Sequence, residues 1–363
     1  MKAVLPLFLS SLACASLAQA DQPSVAVDIA PVHSLVSQVM GDLGSPDLII
    51  SQGASPHGYS LRPSEAQALQ NADIVFWVSR RLAPWLDSAI ETLAPDTTQI
   101  ELLEVSGTSE LMQREGALFE AHDHGHGEED GEHHDEHDAE EGEHHDEHDA
   151  ETDEHHDEHG DDEGEHKDDE HDGEHDSAED EHHDDDEHDE HAHSGVDPHA
   201  WLDPANAAVW LDAIAAQLSE FDPANADTYT ANAEAGKVRL EQLKGEVSEI
   251  LDPVRDKHFI VFHDAYQYFE TAFDFPASGA ISIGDATQPG PARIQEIQDR
   301  VADAGVTCVL SEPQFNPGLV ETVLDGSKAG SGVMDPQGFN LELGSELYPA
   351  LLLGLAESLA DCL

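Results

Sequence analysis

Histidine, aspartate and glutamate make up almost all of residues 121–195, from Ala121 to Gly195, and this segment holds 20 of the 25 histidines in the chain. Imidazole is the commonest protein ligand for borderline transition metals, and its metal-binding neutral form dominates near pH 7. We call this segment the histidine-rich tract. Its composition predicts that it binds metal ions. Without histidine, the same acidic run would be interpreted as a solvating spacer.

The tract is repetitive and strongly acidic. The sequence EHHDEH occurs at 132–137, 143–148 and 154–159, with a period of eleven residues. A helical supercoil with this period would need apolar positions at a regular phase, and there are none. The density of like charge and the lack of apolar surface predict an extended, disordered loop. The histidines expected to bind accessory metal include His122, His124, His126, His133, His134, His137, His144, His145, His148, His155, His156 and His159.

Five histidines lie outside the tract. His57 in GASPHGYSLRP follows a predicted strand, His199 in DPHAWLDP lies where the tract gives way to a helix, and His263 ends the run FIVFH. In parallel α/β sheets such positions meet at the crevice outside the carboxyl ends of the strands, where ligands bind. We therefore expect these three to form a defined site. His33 and His258 are expected to be surface or capping residues.

The elements that must position these histidines alternate between strand and helix. Strands are predicted at 24–29, 47–51, 73–78, 98–105, 259–262, 279–283, 306–310 and 332–335. Helices are predicted at 32–40, 63–71, 84–93, 206–218, 265–273, 291–304, 317–324 and 347–359, and a long one at 224–251 would span about 40 Å. This pattern predicts an α/β protein with two (βα)4-type lobes, each built on a parallel sheet, joined by one long rigid helix.

The charge of the chain excludes several partners. The formal net charge is −65, of which the tract supplies −37 through one lysine and 38 acidic residues, leaving −28 for the rest. So acidic a chain is not expected to bind nucleic acid or anionic membranes, and it attracts cations.

The N-terminus predicts export. Residues 1–20 combine a short basic start, an apolar run and the small-x-small sequence Ala18-Gln19-Ala20, which is typical of a cleavable signal peptide, so that the mature chain begins at Asp21. Lipidation at Cys14 is the less favoured alternative. No later stretch reaches the roughly 18 apolar residues of a membrane span.

Removal of the signal peptide leaves two cysteines, Cys308 and Cys362. In an oxidising compartment a single disulfide is the simplest outcome, with two separate buried thiols as the alternative. Such a bridge would pin the terminal helix to the strand at 306–310.

Six sequence motifs together match a known protein family. GASPHGYSLRPSE, NADIVFWVS, DPHAWLDPANA, FIVFHDAYQYFE, CVLSEPQF and GVMDPQG occur in this order. The chain resembles the metal-binding solute receptors of the cluster A-I (cluster 9) class, and among them the periplasmic zinc receptors of bacterial ABC importers, over essentially its whole mature length.

The resemblance implies an organisation and a function. The metal site would lie in the cleft between the lobes, and the protein would be a periplasmic monomer that captures Zn(II) and delivers it to the membrane subunit of an ABC permease. The corresponding division is an N-terminal lobe (21–120), the inserted tract (121–195), the remainder of that lobe (196–222), a linker helix (223–252) and a C-terminal lobe (253–363).

The resemblance also implies a ligand set. His57, His199 and His263 match the ligand positions, and Asp335 or water would be the fourth ligand. Manganese receptors of the class typically have glutamate where this chain has His263, and three imidazoles suit tetrahedral zinc, whereas manganese prefers oxygen. Glu312 is a candidate acceptor for the second ring nitrogen of a ligand, or else a helix cap.

Other functions share these features. Three histidines with an open position also hold catalytic zinc, but the sequence has no HExxH or other hydrolase motif, so we do not expect an enzyme. A periplasmic zinc buffer or metallochaperone without a transport partner, or a manganese-type receptor, remain alternatives.

For the zinc receptor, we expect the tract to capture zinc weakly and pass it to the cleft. Both the tract and the cleft should bind zinc more weakly below about pH 6.5, because histidine binds metal in its unprotonated form.

Overall fold

A computed structural model describes residues 22–114, 119, 195–282, 284, 289–303 and 305–363. The predicted signal peptide and, apart from Gly195, the histidine-rich tract with its histidines lie outside these residues.

The first sheet has four parallel strands in the order β2-β1-β3-β4. These are β1 (Val25–Val27), β2 (Asp47–Leu48), β3 (Ile74–Trp77) and β4 (Thr98–Glu101), connected by helices α1 (Ala30–Met40), α2 (Pro63–Asn71) and α3 (Pro84–Leu93). Every residue of β1 and β3 is buried. Continuous apolar strands are what a parallel sheet covered on both faces requires.

One long helix leads from the first lobe to the second. Helix α4 (Pro204–Phe221) is followed by α5 (Ala226–Leu251), whose 26 residues span about 39 Å. Helix α5 packs against α1 and α4 of the first lobe and against α6 and α9 of the second. At Gly236 a Cβ would lie 2.4 Å from Gln38 Oε1, so glycine here permits close packing of α5 against α1.

The second sheet repeats the first, with parallel strands in the order β6-β5-β7-β8. Its strands are β5 (His258–His263), β6 (Ala280–Ser282), β7 (Val306–Ser311) and β8 (Gly330–Val333), and its helices are α6 (Gln267–Phe273), α7 (Pro291–Asp303), α8 (Gly318–Leu324) and α9 (Leu347–Cys362). The predicted fold class, two parallel α/β lobes joined by a long helix, is confirmed. Within the described ranges, no helix combines the length and apolar character needed to cross a membrane.

Several strands end earlier than the sequence predicts, β4 and β8 among them. Strand β4 stops at Glu101, and the chain continues as a 3-10 helix over Leu102–Glu104, in which Leu102 and Leu103 are both buried. Strand β8 stops at Val333, two residues before the predicted end at Asp335, because the Asp335 side chain forms local hydrogen bonds with the backbone that follows. Such local bonds compete with strand pairing.

The predicted disulfide is present. Cys308 in β7 is bonded to Cys362, the last residue of α9, with their Cα atoms 5.7 Å apart. Cys308 is fully buried. The bridge ties the terminal helix to the second sheet, as expected.

Asp28 joins the ends of two strands in the first sheet. Its carboxylate accepts hydrogen bonds from the backbone N–H groups of Ile29 (2.8 Å) and Val78 (2.7 Å). Complete burial raises the pKa of Asp28 to about 7, against the opposing effect of these hydrogen bonds. Since the pKa in the unfolded chain is about 3.9, the stabilisation linked to this group is full below about pH 4 and is lost as the pH rises through about 7.

We expect Asp28→Asn to lower the free energy of unfolding by about 1–2 kcal/mol at pH 7, because its amide would turn an N–H group toward a backbone N–H. The difference in stability between wild type and variant should widen as the pH falls from 7 to 4.5, and urea unfolding at both values measures it. Asp73→Asn, at an exposed position of the same sheet that accepts from Ser24 N–H, controls for the change in charge. A difference that stays constant with pH would contradict the assignment.

Candidate metal centre

The loop between β2 and α2 carries His57 and is fixed from two sides. The buried carboxylate of Glu65 accepts a hydrogen bond from the Tyr59 hydroxyl (2.8 Å). The indole N–H of Trp85 donates to the carbonyl of Pro56 (2.8 Å). His57, between these contacts, is half-buried. The loop is therefore held by the first turns of α2 and α3.

His199 is oriented by a buried aspartate. Its Nδ1 lies 2.7 Å from Asp197 Oδ1, and its backbone N–H donates to the same oxygen at 3.0 Å. The ring of His199 packs on the indole of Trp201, with centroids 5.3 Å apart. An Nδ1–H donated to a carboxylate fixes the tautomer in which Nε2 carries no proton.

His263 is oriented in the same way. Its Nδ1 lies 2.5 Å from Glu312 Oε1, and both side chains are buried. Glu312 Oε2 accepts from the amide of Gln314 at 2.8 Å, and the ring of His263 meets Phe315 edge to face. Glu312 thus contacts a ring nitrogen of one of the three predicted histidines. It does not cap α8, which begins six residues later at Gly318.

The three rings lie next to one another in two pairs. The centroid of His199 is 5.8 Å from that of His57 and 5.4 Å from that of His263. In the positions they occupy, no three His, Cys, Asp or Glu side chains of the described residues together form a group that could hold a metal ion. The structure therefore brings the predicted histidines together without completing a coordination shell.

Asp197 is a site residue that the sequence analysis missed. Burial raises its pKa to about 7, against the hydrogen bond from the His199 backbone and the charges of Arg114, His263 and His57. Its two-residue spacing from His199 in VDPH is a signal that could have found it, because a side chain at i−2 can accept a hydrogen bond from both the backbone N–H and Nδ1 of the histidine.

Asp335 is engaged by its own turn. Its Oδ1 accepts from the N–H groups of Gln337 (3.0 Å) and Gly338 (2.9 Å), and its Oδ2 accepts from that of Phe339 (2.5 Å). The charge of Asp335, with that of Glu312, adds to burial in raising the pKa of the Tyr266 phenol. Asp335 thus acts on Tyr266, whose ring centroid is 6.3 Å from that of His263, but its carboxylate organises the turn after β8.

The two histidines set aside by the sequence analysis differ from each other. His258, at the start of β5, is exposed as expected. The expectation for His33 is wrong, since it is 5% exposed within α1, and burial lowers its pKa. Pro31 lies in the first turn of that helix, and the whole first turn is buried, so a histidine near the N-terminus is covered.

Two parallel-sheet lobes joined by one helix, with histidines from both lobes next to one another, define the class of metal-binding solute receptors. The chain belongs to the ZnuA family: the family model described as "Zinc-uptake complex component A periplasmic" matches residues 25–362. The family inferred from the sequence motifs is confirmed.

Individual relatives agree with this assignment. The chain is 45% identical to the high-affinity zinc uptake system protein ZnuA of Brucella abortus, over 100% of this chain and 99% of the relative. It is 43% identical to the protein of the same name from Paracoccus denitrificans, over 95% and 93% of the two chains. A crystal structure of ZnuA superposes with a TM-score of 0.63 at 20% identity, covering 94% of this chain and 99% of that one, and so shares the fold.

Proposed function

We propose that this protein is the periplasmic zinc receptor of an ABC importer, which captures Zn(II) in the cleft between its lobes and delivers it to the membrane subunit of the permease. The observation that carries the proposal is the pair of buried histidine–carboxylate contacts, His199 with Asp197 and His263 with Glu312. Each contact fixes the ring and its tautomer, so that Nε2 is the nitrogen that would bind a metal. Membership of a zinc-uptake family supports zinc as the cargo.

The proposed ligands are His57, His199 and His263. With Zn–N bonds of about 2.0–2.1 Å at tetrahedral angles, the centroids of two bound imidazoles lie about 5 Å apart. The separations of 5.8 and 5.4 Å are slightly larger. Zinc would therefore complete the site by drawing the rings together through small movements, in which the His57 loop of the first lobe approaches the two histidines held by carboxylates.

Water or Asp335 is proposed as the fourth ligand. Asp335 already accepts three backbone hydrogen bonds, and coordination through it would have to share or break them. Three imidazoles with one oxygen ligand favour zinc over manganese, because manganese prefers oxygen ligands and a higher coordination number. The manganese-type receptor is therefore the less favoured alternative.

The remaining parts of the proposal concern processing, domain division and partners, and two of them fall on segments outside the described residues. Residues 1–20 would be a cleaved signal peptide, and the histidine-rich tract an accessory zinc collector inserted in the first lobe. The lobes would follow the division at 120, 195, 222 and 252 predicted above. The mature receptor would act as a monomer, would bind no nucleic acid and would catalyse no reaction.

A zinc buffer without a transport partner is the second candidate, favoured by the 20 histidines of the tract. A competition titration of the mature chain, and of a variant with residues 121–194 of the tract replaced by a short glycine-serine linker, tests the cleft. We expect one tight zinc site in both proteins that excess manganese does not displace, and fewer weak sites in the variant. Loss of the tight site in the variant would make the tract the binding element and favour the buffer.

Delivery requires a separate measurement. A strain that lacks this protein should take up radioactive zinc slowly at low zinc concentration, and the mature protein exported from a plasmid should restore uptake only when the ABC permease is present. Restoration without the permease would favour the buffer.

A further inference from the structure

Two segments that flank the histidine-rich tract in the sequence, residues 111–114 and 195–197, pair as a short two-stranded structure, called here the stem. The N–H of Gln113 donates to the carbonyl of Gly195 (2.8 Å), and that of Asp197 donates to the carbonyl of Leu111 (2.7 Å). Met112 and Val196 form an antiparallel bridge. The stem ends at Asp197, which holds His199, so any displacement of the stem moves that imidazole.

Arg114, in the stem, binds two acidic side chains of the second lobe. Its Nε lies 3.0 Å from Asp264 Oδ1, and its Nη1 lies 2.7 Å from Glu270 Oε2. Its Nη2 also contacts both carboxylates, and its guanidinium stacks 3.5 Å from the centre of the Phe119 ring. The side chain is 18% exposed, and those of Asp264 and Glu270 are 7% and 4% exposed.

The charge balance of this cluster depends on the arginine. Burial raises the pKa of Glu270, and the hydrogen bonds and charge of Arg114 oppose that effect. Burial alone would lower the pKa of Arg114, but the hydrogen bonds and charges of Glu270 and Asp264 outweigh burial and raise it. A buried pair of carboxylates that loses its cation is strongly unfavourable, so the cluster holds the stem firmly.

Tyr268, on α6, makes a second attachment. Its hydroxyl accepts a hydrogen bond from the N–H of Leu111 (2.9 Å) and donates one to the carbonyl of Asp197 (3.0 Å). It therefore touches both strands of the stem. Arg114 and Tyr268 together fix the stem to the second lobe, immediately beside the end of β5, where His263 lies.

We propose that Arg114 is a positioning residue for the metal site: by binding Asp264 and Glu270 it holds the stem, and with it His199, against His263 before metal arrives. This inference rests on the proposed function. It explains how His199, which follows the inserted tract in the sequence, is held beside His263 of the second lobe. It also assigns the stem a role in affinity that is separate from the capacity of the tract.

The test measures zinc affinity of the full mature chain by competition with a strong chelator, at less than one zinc per protein. Arg114→Lys should weaken zinc binding about tenfold, because lysine cannot bind both carboxylates in the forked geometry of arginine, and displaced outer contacts typically cost 10- to 100-fold. Arg114→Met combined with Asp264→Asn and Glu270→Gln leaves no uncompensated charge and should give at least the same loss. Arg80→Ala, which removes an exposed ion pair with Glu101 in the first lobe, is the matched control and should change affinity less than twofold.

A thermodynamic cycle separates positioning from general loss of stability. Combined with His57→Ala, Arg114→Lys should again cost about tenfold, whereas combined with His199→Ala it should cost less than twofold, because the residue it positions is gone. Equal losses in both backgrounds, or no loss in either Arg114 variant, would overturn the inference. A wild-type chain with no tight site would instead overturn the proposed function.

Discussion

Replacing His263 with alanine should remove the tight zinc site. The ring lies at the end of β5, and its Nδ1 is bound to Glu312, so the substitution removes a candidate ligand and leaves a buried carboxylate without its main partner. The loss of affinity should exceed the 10- to 100-fold that follows removal of an outer contact. Chelator competition on the full mature chain measures it, with the zinc concentration kept below that of the protein so that the weaker sites stay empty.

The same strand provides the matched control. His258 begins β5, is exposed, and is separated from His263 by four buried residues. His258→Ala changes the same residue type in the same strand and should leave zinc affinity within about twofold of wild type. Circular dichroism should show that both variants fold. If His263→Ala kept wild-type affinity, the ligand set proposed for the cleft would be wrong.

The contact between His263 and Glu312 illustrates what a sequence can predict. Both residues follow runs of buried apolar residues, and β5 and β7 pair in parallel. The residues that end two neighbouring parallel strands must lie side by side. Once the strand order β6-β5-β7-β8 is known, a polar pair at this edge of the second sheet follows from topology.

The attachment of the stem could not be predicted in that way. Arg114 and Asp264 are 150 positions apart, and no periodic pattern relates them. Their contact depends on how the two lobes sit on α5, which is determined by side-chain packing. In the sequence, Arg114 stands alone before a long acidic tract. Because the chain contains many acidic residues, the sequence does not show which of them Arg114 binds, and a solvated charge is the simpler interpretation.

His33 and Asp335 show a second limit. The position of a residue in a helix can be read from the sequence, but which face of the first turn is covered depends on neighbouring elements, and His33 is covered. Asp335 was expected to end a strand, yet its short side chain bonds the backbone two to four residues ahead. Aspartate forms such turns readily, and these local hydrogen bonds replace the strand pairing that was predicted to continue to Asp335.

A substitution at Gly53 should have the second large effect, because this glycine lies where the two lobes meet. Its φ is +79°, and a Cβ built there would lie 1.7 Å from the ring of Phe339. Its neighbour Gln52 donates from Nε2 to the carbonyls of Gly338 and Leu341, each at 2.9 Å. The segment that leads to the His57 loop thus docks on the turn organised by Asp335.

We expect Gly53→Ala to lower the free energy of unfolding by about 2–5 kcal/mol, combining the strain of a left-handed residue with that of overpacking. Displacement of Phe339 should also loosen the His57 loop and reduce zinc affinity about tenfold. Urea unfolding and chelator competition measure the two effects.

Gly326→Ala measures the strain of a left-handed alanine without a steric clash of the added Cβ. Gly326 has nearly the same φ, +78°, but an added Cβ would meet nothing within 4 Å. This variant should lose only about 1–2 kcal/mol and keep its zinc affinity. Adding Phe339→Ala to Gly53→Ala should recover part of the stability, because the smaller side chain leaves room for the methyl group. If Gly53→Ala and Gly326→Ala were equally stable and bound zinc equally well, the contact between Gly53 and Phe339 would not couple the turn after β8 to the loop that carries His57.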